Sequence, residues 1–356
     1  MSCCIFKNGN NVYKPYLAIM FMQCAFSGMA LLSKAAISKG MSPFVFVVYR
    51  QAFASLALAP FAFFLERKTA PPLSHKILCK IFFVSFSGLT LSLNLYYVAM
   101  NNITATFAAA STNIIPAITF LMAVLLRMES ISFKHWHGIA KILGSAIGVS
   151  GALVFAFVKG APLTWYDHHV QSSSSITCCS KRESIKGALL MISSNTLWSF
   201  WFVLQGPIVK EYPAKLRLTA LQCLFSCIQS AIGAVSMERN LSAWKLGWNL
   251  HLLAVVYCGI TVNGICYWLQ IWTIEKKGPV FTSSFTPLAL IITAISSAFL
   301  WKETLHWGSV GGAVLLVGGL YCVLWGKNKE EDDDHKSVII NGPSKQHITL
   351  ECITHH

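Results

Sequence analysis

The sequence predicts an all-α integral membrane protein of ten transmembrane helices arranged as two inverted five-helix repeats. Three observations predict it: ten long apolar runs, basic residues gathered on one side of those runs, and a weak copy of segment 107–151 in segment 281–325.

Of the 356 residues, 54% are hydrophobic and 12% are charged, about half the charged share of a soluble domain. The apolar runs lie at 16–37, 43–65, 77–99, 104–126, 136–158, 185–206, 216–236, 250–270, 281–300 and 307–325. Each can cross ~30 Å of hydrocarbon as a helix, and none shows the ~10-residue alternating segments of a membrane barrel. The first run has no obvious small-residue cleavage site after it and reads as a retained helix.

With the N-terminus placed in the cytoplasm, 18 of the 28 Lys and Arg fall on the cytoplasmic side and 8 on the other, with Lys34 and Arg50 inside runs. That bias puts both chain ends in the cytoplasm. It also accounts for the net charge of +14 as topology, without a nucleic-acid partner. The expected organisation is a cytoplasmic N-terminus (1–15), a first five-helix repeat (16–158), a non-cytoplasmic linker loop (159–184), a second repeat (185–326) and a disordered cytoplasmic tail (327–356). The linker carries Ser172-Ser173-Ser174-Ser175 and the tail Glu330-Glu331-Asp332-Asp333-Asp334, compositions of flexible or unfolded chain. Sequons at Asn102 and Asn240 fall on the outer side. Most of the 12 cysteines lie within runs, and Cys3-Cys4 and Cys178-Cys179 lack zinc spacing; no metal or cofactor is expected.

Shifted by 174 residues, Phe107 falls on Phe281, Thr119 on Thr293, Glu129 on Glu303, Gly138 on Gly312 and Gly144 on Gly318. Five helices are an odd number, so the second copy enters the membrane from the opposite side. Inverted repeats of this kind place a binding site between the halves near mid-membrane.

The run Ser33-Lys34-Ala35-Ala36-Ile37-Ser38-Lys39-Gly40-Met41-Ser42-Pro43, continuing to Val48-Tyr49-Arg50-Gln51-Ala52-Phe53-Ala54, resembles the plant nodulin-21-like, walls-are-thin-related transporters, also called usually-multiple-acids-move-in-and-out transporters. So do Leu95-Tyr96-Tyr97-Val98-Ala99-Met100, Ala105-Thr106-Phe107-Ala108 with Asn113-Ile114-Ile115-Pro116-Ala117, and Trp301-Lys302-Glu303. The resemblance covers 12–326. It implies two EamA-type repeats of the drug/metabolite transporter superfamily and a small-molecule solute of the amino-acid or auxin class. The membrane expected is the plasma membrane, with the tonoplast as the alternative.

Polar side chains inside a membrane face a cavity or another helix. Spacings of three, four and seven set Gln23 with Ser27, Asn94 with Tyr97, Asn195 with Trp198 and Gln205, and Asn263 with Tyr267 and Gln270 on single helical faces. These stripes either line one cavity or bond the helices together. Pro116 and Pro287 break repeat-related helices and free the carbonyls of Thr112 and Ser283, with Asn113, Ser284 and Thr286 nearby; the alternative is a plain packing kink. Arg50, about eight residues into its run and followed by Gln51, either grips a carboxylate with its planar fork or snorkels to the headgroups. Lys34 lies close enough to the outer end to snorkel.

No Asp, Glu or His lies deep in a run, which points to facilitated movement without a proton relay. Tyr97 and Trp198 offer aromatic faces to an ammonium group. Gly144 with Gly148 in the fifth run, and Gly308 with Gly312 in the tenth, follow the spacing of close helix contact; these runs are expected to be peripheral packing or homodimer surfaces in the lipid bilayer. Nothing suggests an enzyme: His135-Trp136-His137 has no partner ligands, and no nucleophile–base pair or phosphate loop is present. The competing readings are a nucleotide-sugar or other metabolite carrier, which needs several cavity cations, and a non-transporting receptor or scaffold.

Overall fold

The computed structural model describes residues 6–67, 70–102, 111–128, 136–158, 181–301 and 307–340. Most of the linker, His135, the acidic turns at Glu129 and Glu303, both adjacent cysteine pairs and the last sixteen residues lie outside the described residues.

Ten membrane helices appear in chain order. α1 is Phe6–Ser38 and α2 is Pro43–Leu65. α3 runs continuously through His75–Val84, a π-helical stretch Ser85–Leu91, and Ser92–Asn102. α4 is described from 111, with its main segment Ile115–Leu125. α5 is Trp136–Phe157, α6 is Lys181–Glu211 and α7 is Lys215–Met237. α8 runs through Leu250–Val256, a second π-helical stretch Tyr257–Cys266, and Tyr267–Lys277. α9 has two segments, Pro279–Ser284 and Thr286–Trp301, and α10 is Trp307–Ile340. Among the described residues, eight of the ten are long and apolar enough to cross a membrane, and α4 and α5 contribute shorter apolar helices.

Local chemistry sets the turns. Gly40 takes φ +90° after α1, and Pro43 opens α2 with its ring at a position whose amide needs no partner. Gly278, at φ +86°, ends α8, and Pro279 starts α9. The α7 N-terminus is capped from outside: both Glu66 carboxylate oxygens accept backbone N–H groups, from Leu216 at 3.0 Å and Arg217 at 2.9 Å. An anion there meets the positive end of the helix dipole. Lys80–Glu211 (2.6 Å) and Lys215–Glu275 (2.9 Å) tie neighbouring helices on this same face, the one that carries the chain ends.

The packing obeys the repeat. α2 pairs with α7, α4 with α9 and α5 with α10, each helix against its own repeat mate; α3 lies on α6 as α8 lies on α1, and α2 on α8 as α7 on α3. The π stretches are repeat mates too, since 85–91 shifted by 174 falls within Tyr257–Cys266. Each contains a glycine that a side chain would displace: a Cβ on Gly88 would meet the Trp201 ring, and one on Gly259 the Arg50 carbonyl. Large apolar side chains point outward, among them Phe61, Phe64, Leu121 and Phe299. An outward apolar surface suits lipid, where helix association relies on close packing and hydrogen bonds.

One expectation needs correction. The tail is not unfolded from 327: α10 runs on to Ile340, because no Gly or Pro interrupts the chain after Gly326 until Gly342. The α5 and α10 glycines make the close helix contact that their spacing predicts, and the partner is within the chain. α5 and α10 pack on each other within the chain, and a Cβ on Gly144 would stand 2.8 Å from the Gly319 carbonyl oxygen.

Candidate functional site

Arg50 lies at the centre of a hydrogen-bonded node made by α2, α3, α7 and α8. Its side chain is 1% exposed, so it does not snorkel. Nη1 donates to the Tyr97 hydroxyl of α3 at 3.0 Å, Nη2 donates to Asn263 Oδ1 of α8, and Nη2 also lies 3.5 Å from Met29 Sδ of α1. Among the described residues no Asp or Glu pairs with it, and its Nε has no partner. A guanidinium is here buried against neutral acceptors only.

The bonds continue from Asn263. Its Nδ2 donates to Gln51 Oε1 at 3.1 Å, and Gln51 Nε2 donates to Ser226 Oγ of α7 at 3.0 Å. Thr90 Oγ1 of α3 lies 3.0 Å from Ser226 Oγ and donates to Gln229 Oε1 at 2.7 Å. Thr90 and Asn263 both come from the π stretches. A π turn places an extra residue in the helical ring and re-aims its side chains, which is why such turns recur at functional sites.

Beside the node stands an aromatic cluster. Trp198 stacks on Trp201 with centroids 5.2 Å apart, and Tyr267 lies 5.7 Å from each. Trp201 Nε1 donates to Gln222 Oε1 at 3.3 Å, and Gln222 Nε2 donates to Gln205 Oε1 at 3.1 Å. Met29 packs against this cluster and also touches Arg50, so the two features are continuous.

The structure brings together Arg50, Gln51, Tyr97 and Asn263, and places Trp198 and Tyr267 alongside. Asn94 turns away: its Nδ2 donates to the Thr90 carbonyl at 2.7 Å and reaches Ser230 at 3.5 Å. Gln23 (4% exposed) and Asn195 (3%) are buried without a described hydrogen bond at Oε1 and Nδ2 respectively. Both prolines sit second in the segment that follows a turn, Pro116 after 113–114 and Pro287 after Phe285. The Ser283 carbonyl is not left free: it accepts the Phe285 amide. The Ser283 and Ser284 hydroxyls bond back to the Val280 carbonyl. Asn113 is buried, Thr112 and Thr286 are half-buried, and neither Thr112 nor Asn113 lacks a partner.

Arg50 is also not the sole buried cation. Lys141 of α5 is 1% exposed and Lys327 of α10 is 8%, and both have partners. They belong to the α5–α10 pair, which packs on α4 and α9 and stands apart from the node. Two open grooves lie on the flanks. One of about 320 Å³ is lined by Tyr16, Tyr321, Trp325 and Lys329; another of about 430 Å³ is lined by Phe120, Ile142 and Val149. Neither touches Arg50, whose node is closed in this state.

Sequence reading missed Gln222, Ser226, Thr90 and Gln229. A shift of 172, suited to the first two helices of each half, exposes the first of them. It lays Gln23 on Asn195, Ser27 on Ser199, Met29 on Trp201, Ser33 on Gln205 and Arg50 on Gln222.

Comparison with known proteins agrees with this architecture. The profile of the EamA-like transporter family matches residues 14–151 and 185–325. One WAT1-related protein of Arabidopsis thaliana is 60% identical over 322 residues, covering 90% of this chain and 93% of the relative. A second is 49% identical over 327 residues, covering 89% and 91%. A solved crystal structure superposes with a TM-score of 0.65 at 16% identity, over 87% of this chain and 95% of that one; it shares the fold.

Proposed function

We propose that this chain, which belongs to the EamA-like transporter family and is a multi-pass membrane transporter, carries small organic solutes that bear a carboxylate. Amino acids and aryl-acetates such as auxin are the passengers in view. One observation carries the reading: Arg50 is buried against a phenol, an amide oxygen and a thioether, with no acidic partner among the described residues.

Burying an unpaired charge costs several kcal/mol, and a planar fork presents two parallel donors that match a carboxylate. The Asn263 oxygen and the Tyr97 hydroxyl occupy those donors in the closed state. A carboxylate that displaces them exchanges neutral acceptors for a charged one, and gives the buried guanidinium a counter-ion in a bidentate fork. Trp198 and Tyr267 offer π faces to the rest of the passenger, an indole ring or an ammonium group. Alternating access then amounts to opening the node first to one face and then to the other. The protein sits in the plasma membrane, and the charge bias supports both chain ends in the cytoplasm. Movement is facilitated, since no described carboxylate or histidine joins the node to relay a proton.

The test is a radiolabelled uptake and efflux panel in oocytes, spanning neutral, acidic and basic amino acids, indole-acetate and a nucleotide sugar. Neutral amino acids or indole-acetate should move, and Arg50→Gln should cut their flux about 10- to 100-fold at equal surface amount. Normal flux through Arg50→Gln removes the carboxylate assignment. Loss of wild-type flux to a protonophore at clamped potential removes the facilitator assignment.

A further inference from the structure

The Arg50 node has an inverted image in the second half. α2 and α7 are both 23 residues long; Arg50 is the eighth residue of the first and Gln222 the eighth of the second. The two helices run in opposite directions through the membrane, so the same register places Gln222 nearer the face that carries the chain ends. The surroundings correspond as well. Arg50 touches Met29 of α1, and Gln222 accepts from Trp201 of α6, the residue that the 172 shift lays on Met29. Gln222 then donates to Gln205, which the shift lays on Ser33.

The images differ in charge and in what is left open. Where the first node holds a guanidinium, the second holds a chain of neutral amides. That chain ends on Gln205 Nε2, a donor on a side chain that is 0% exposed and has no partner. Such an orphan is costly to bury. Its orientation is set by two successive bonds, Trp201 to Gln222 and Gln222 to Gln205. The nodes are close. Gln51 bonds Ser226, so Arg50 stands level with the 226–227 region of α7, and Gln222 lies about one turn away, ~6 Å along the axis.

We propose that Trp201, Gln222 and Gln205 form a second station for the passenger's carboxylate, reached after it leaves Arg50 and used on the way to or from the chain-end face. The inference rests on the carboxylate reading above and extends it. A carboxylate held by one buried cation leaves slowly, because every step away exposes both charges to apolar surroundings. A neutral donor one turn further along gives the oxygen somewhere to bond in the interval. The pair is therefore asymmetric, tight at the guanidinium and loose at the amide. The half-saturation concentration should be lower from the Arg50 side than from the chain-end side.

The experiment uses the full chain in oocytes with radiolabelled phenylalanine and indole-acetate, applied outside for uptake and injected for efflux. Gln205→Met keeps the side-chain volume and removes the amide. It should raise half-saturation about tenfold from the chain-end side, the scale of one hydrogen bond to a charged group, and less than about twofold from the other. An equal shift on both sides, or none at normal surface amount, overturns the station. If Gln205→Met does not reach the surface, Gln205→Glu takes its place. It still accepts from Gln222 but turns the open donor into an anion, and should suppress entry from the chain-end side selectively; wild-type half-saturation there sinks the proposal. The two readings separate cleanly. Unimpaired Arg50→Gln refutes the guanidinium's role, whereas the station is judged only by the side-dependence of the Gln205 variants.

Discussion

The α5–α10 pair is a contact between repeat mates and the α2–α3–α7–α8 core is centred on another, α2 with α7, yet the two are built from opposite materials. In the first, backbone meets backbone: a Cβ on Gly319 would lie 2.6 Å from the Gly144 oxygen and from the Gly148 nitrogen. In the second, amides, hydroxyls and one guanidinium join the helices. A backbone contact has one good geometry and resists change. A chain of hydrogen bonds can exchange partners, each costing about 1 kcal/mol net. The fold thus separates a rigid backbone contact from a network able to exchange partners.

Breaking the rigid pair should have the largest effect. Gly319→Leu forces a side chain into backbone, and an overpacking cost of about 3 kcal/mol or more is expected. It should appear as a lower unfolding temperature in detergent and little mature protein, and a variant as stable as the parent would show that the contact is dispensable. Next, Arg50→Gln should cut flux of carboxylate solutes about 10- to 100-fold. Arg50→Lys should recover little, since an ammonium cannot offer two parallel donors. Unfolding temperature should fall less than for Gly319→Leu; the reverse order would make Arg50 a structural residue.

Asn263→Ala sharpens the contrast. It removes the link between Arg50 and Gln51, and should cost about 1–3 kcal/mol of stability while shifting half-saturation as well. A stability loss with unaltered half-saturation would place Asn263 among the bundle's ties. The smallest effect belongs to Glu66→Gln. The amide keeps one of the two acceptor oxygens at the α7 N-terminus and loses the other together with the charge, worth about 1–2 kcal/mol in all. A drop in unfolding temperature much larger than a few degrees would mean that Glu66 does more than cap.

Much of the architecture was legible in the chain. Length and composition marked the ten runs, and both prolines marked real breaks, because a missing amide proton acts locally. Other features were illegible for physical reasons. A π turn has no composition of its own, so Ser85–Leu91 and Tyr257–Cys266 read as ordinary helix. Arg50 was visible as an anomaly, yet its partner Asn263 is 213 residues away, and only tertiary packing joins them. Small-residue spacing showed that α5 and α10 make close contacts, but not with whom. Gln222 sat in plain sight and went unnoticed, since a glutamine draws attention only once its repeat mate is known to be Arg50.

The two π turns carry a consequence of their own. Each holds one residue more than an α turn, so the segment beyond it is rotated relative to the segment before it. Sliding that surplus along α3 past Tyr97 would turn the residues between its old and new positions by ~100°. The Tyr97 hydroxyl would then leave the Arg50 fork without any change in the first half of the helix. The grip on a cation is thus recorded in the winding of the main chain, and passing one surplus residue along the helix would release it.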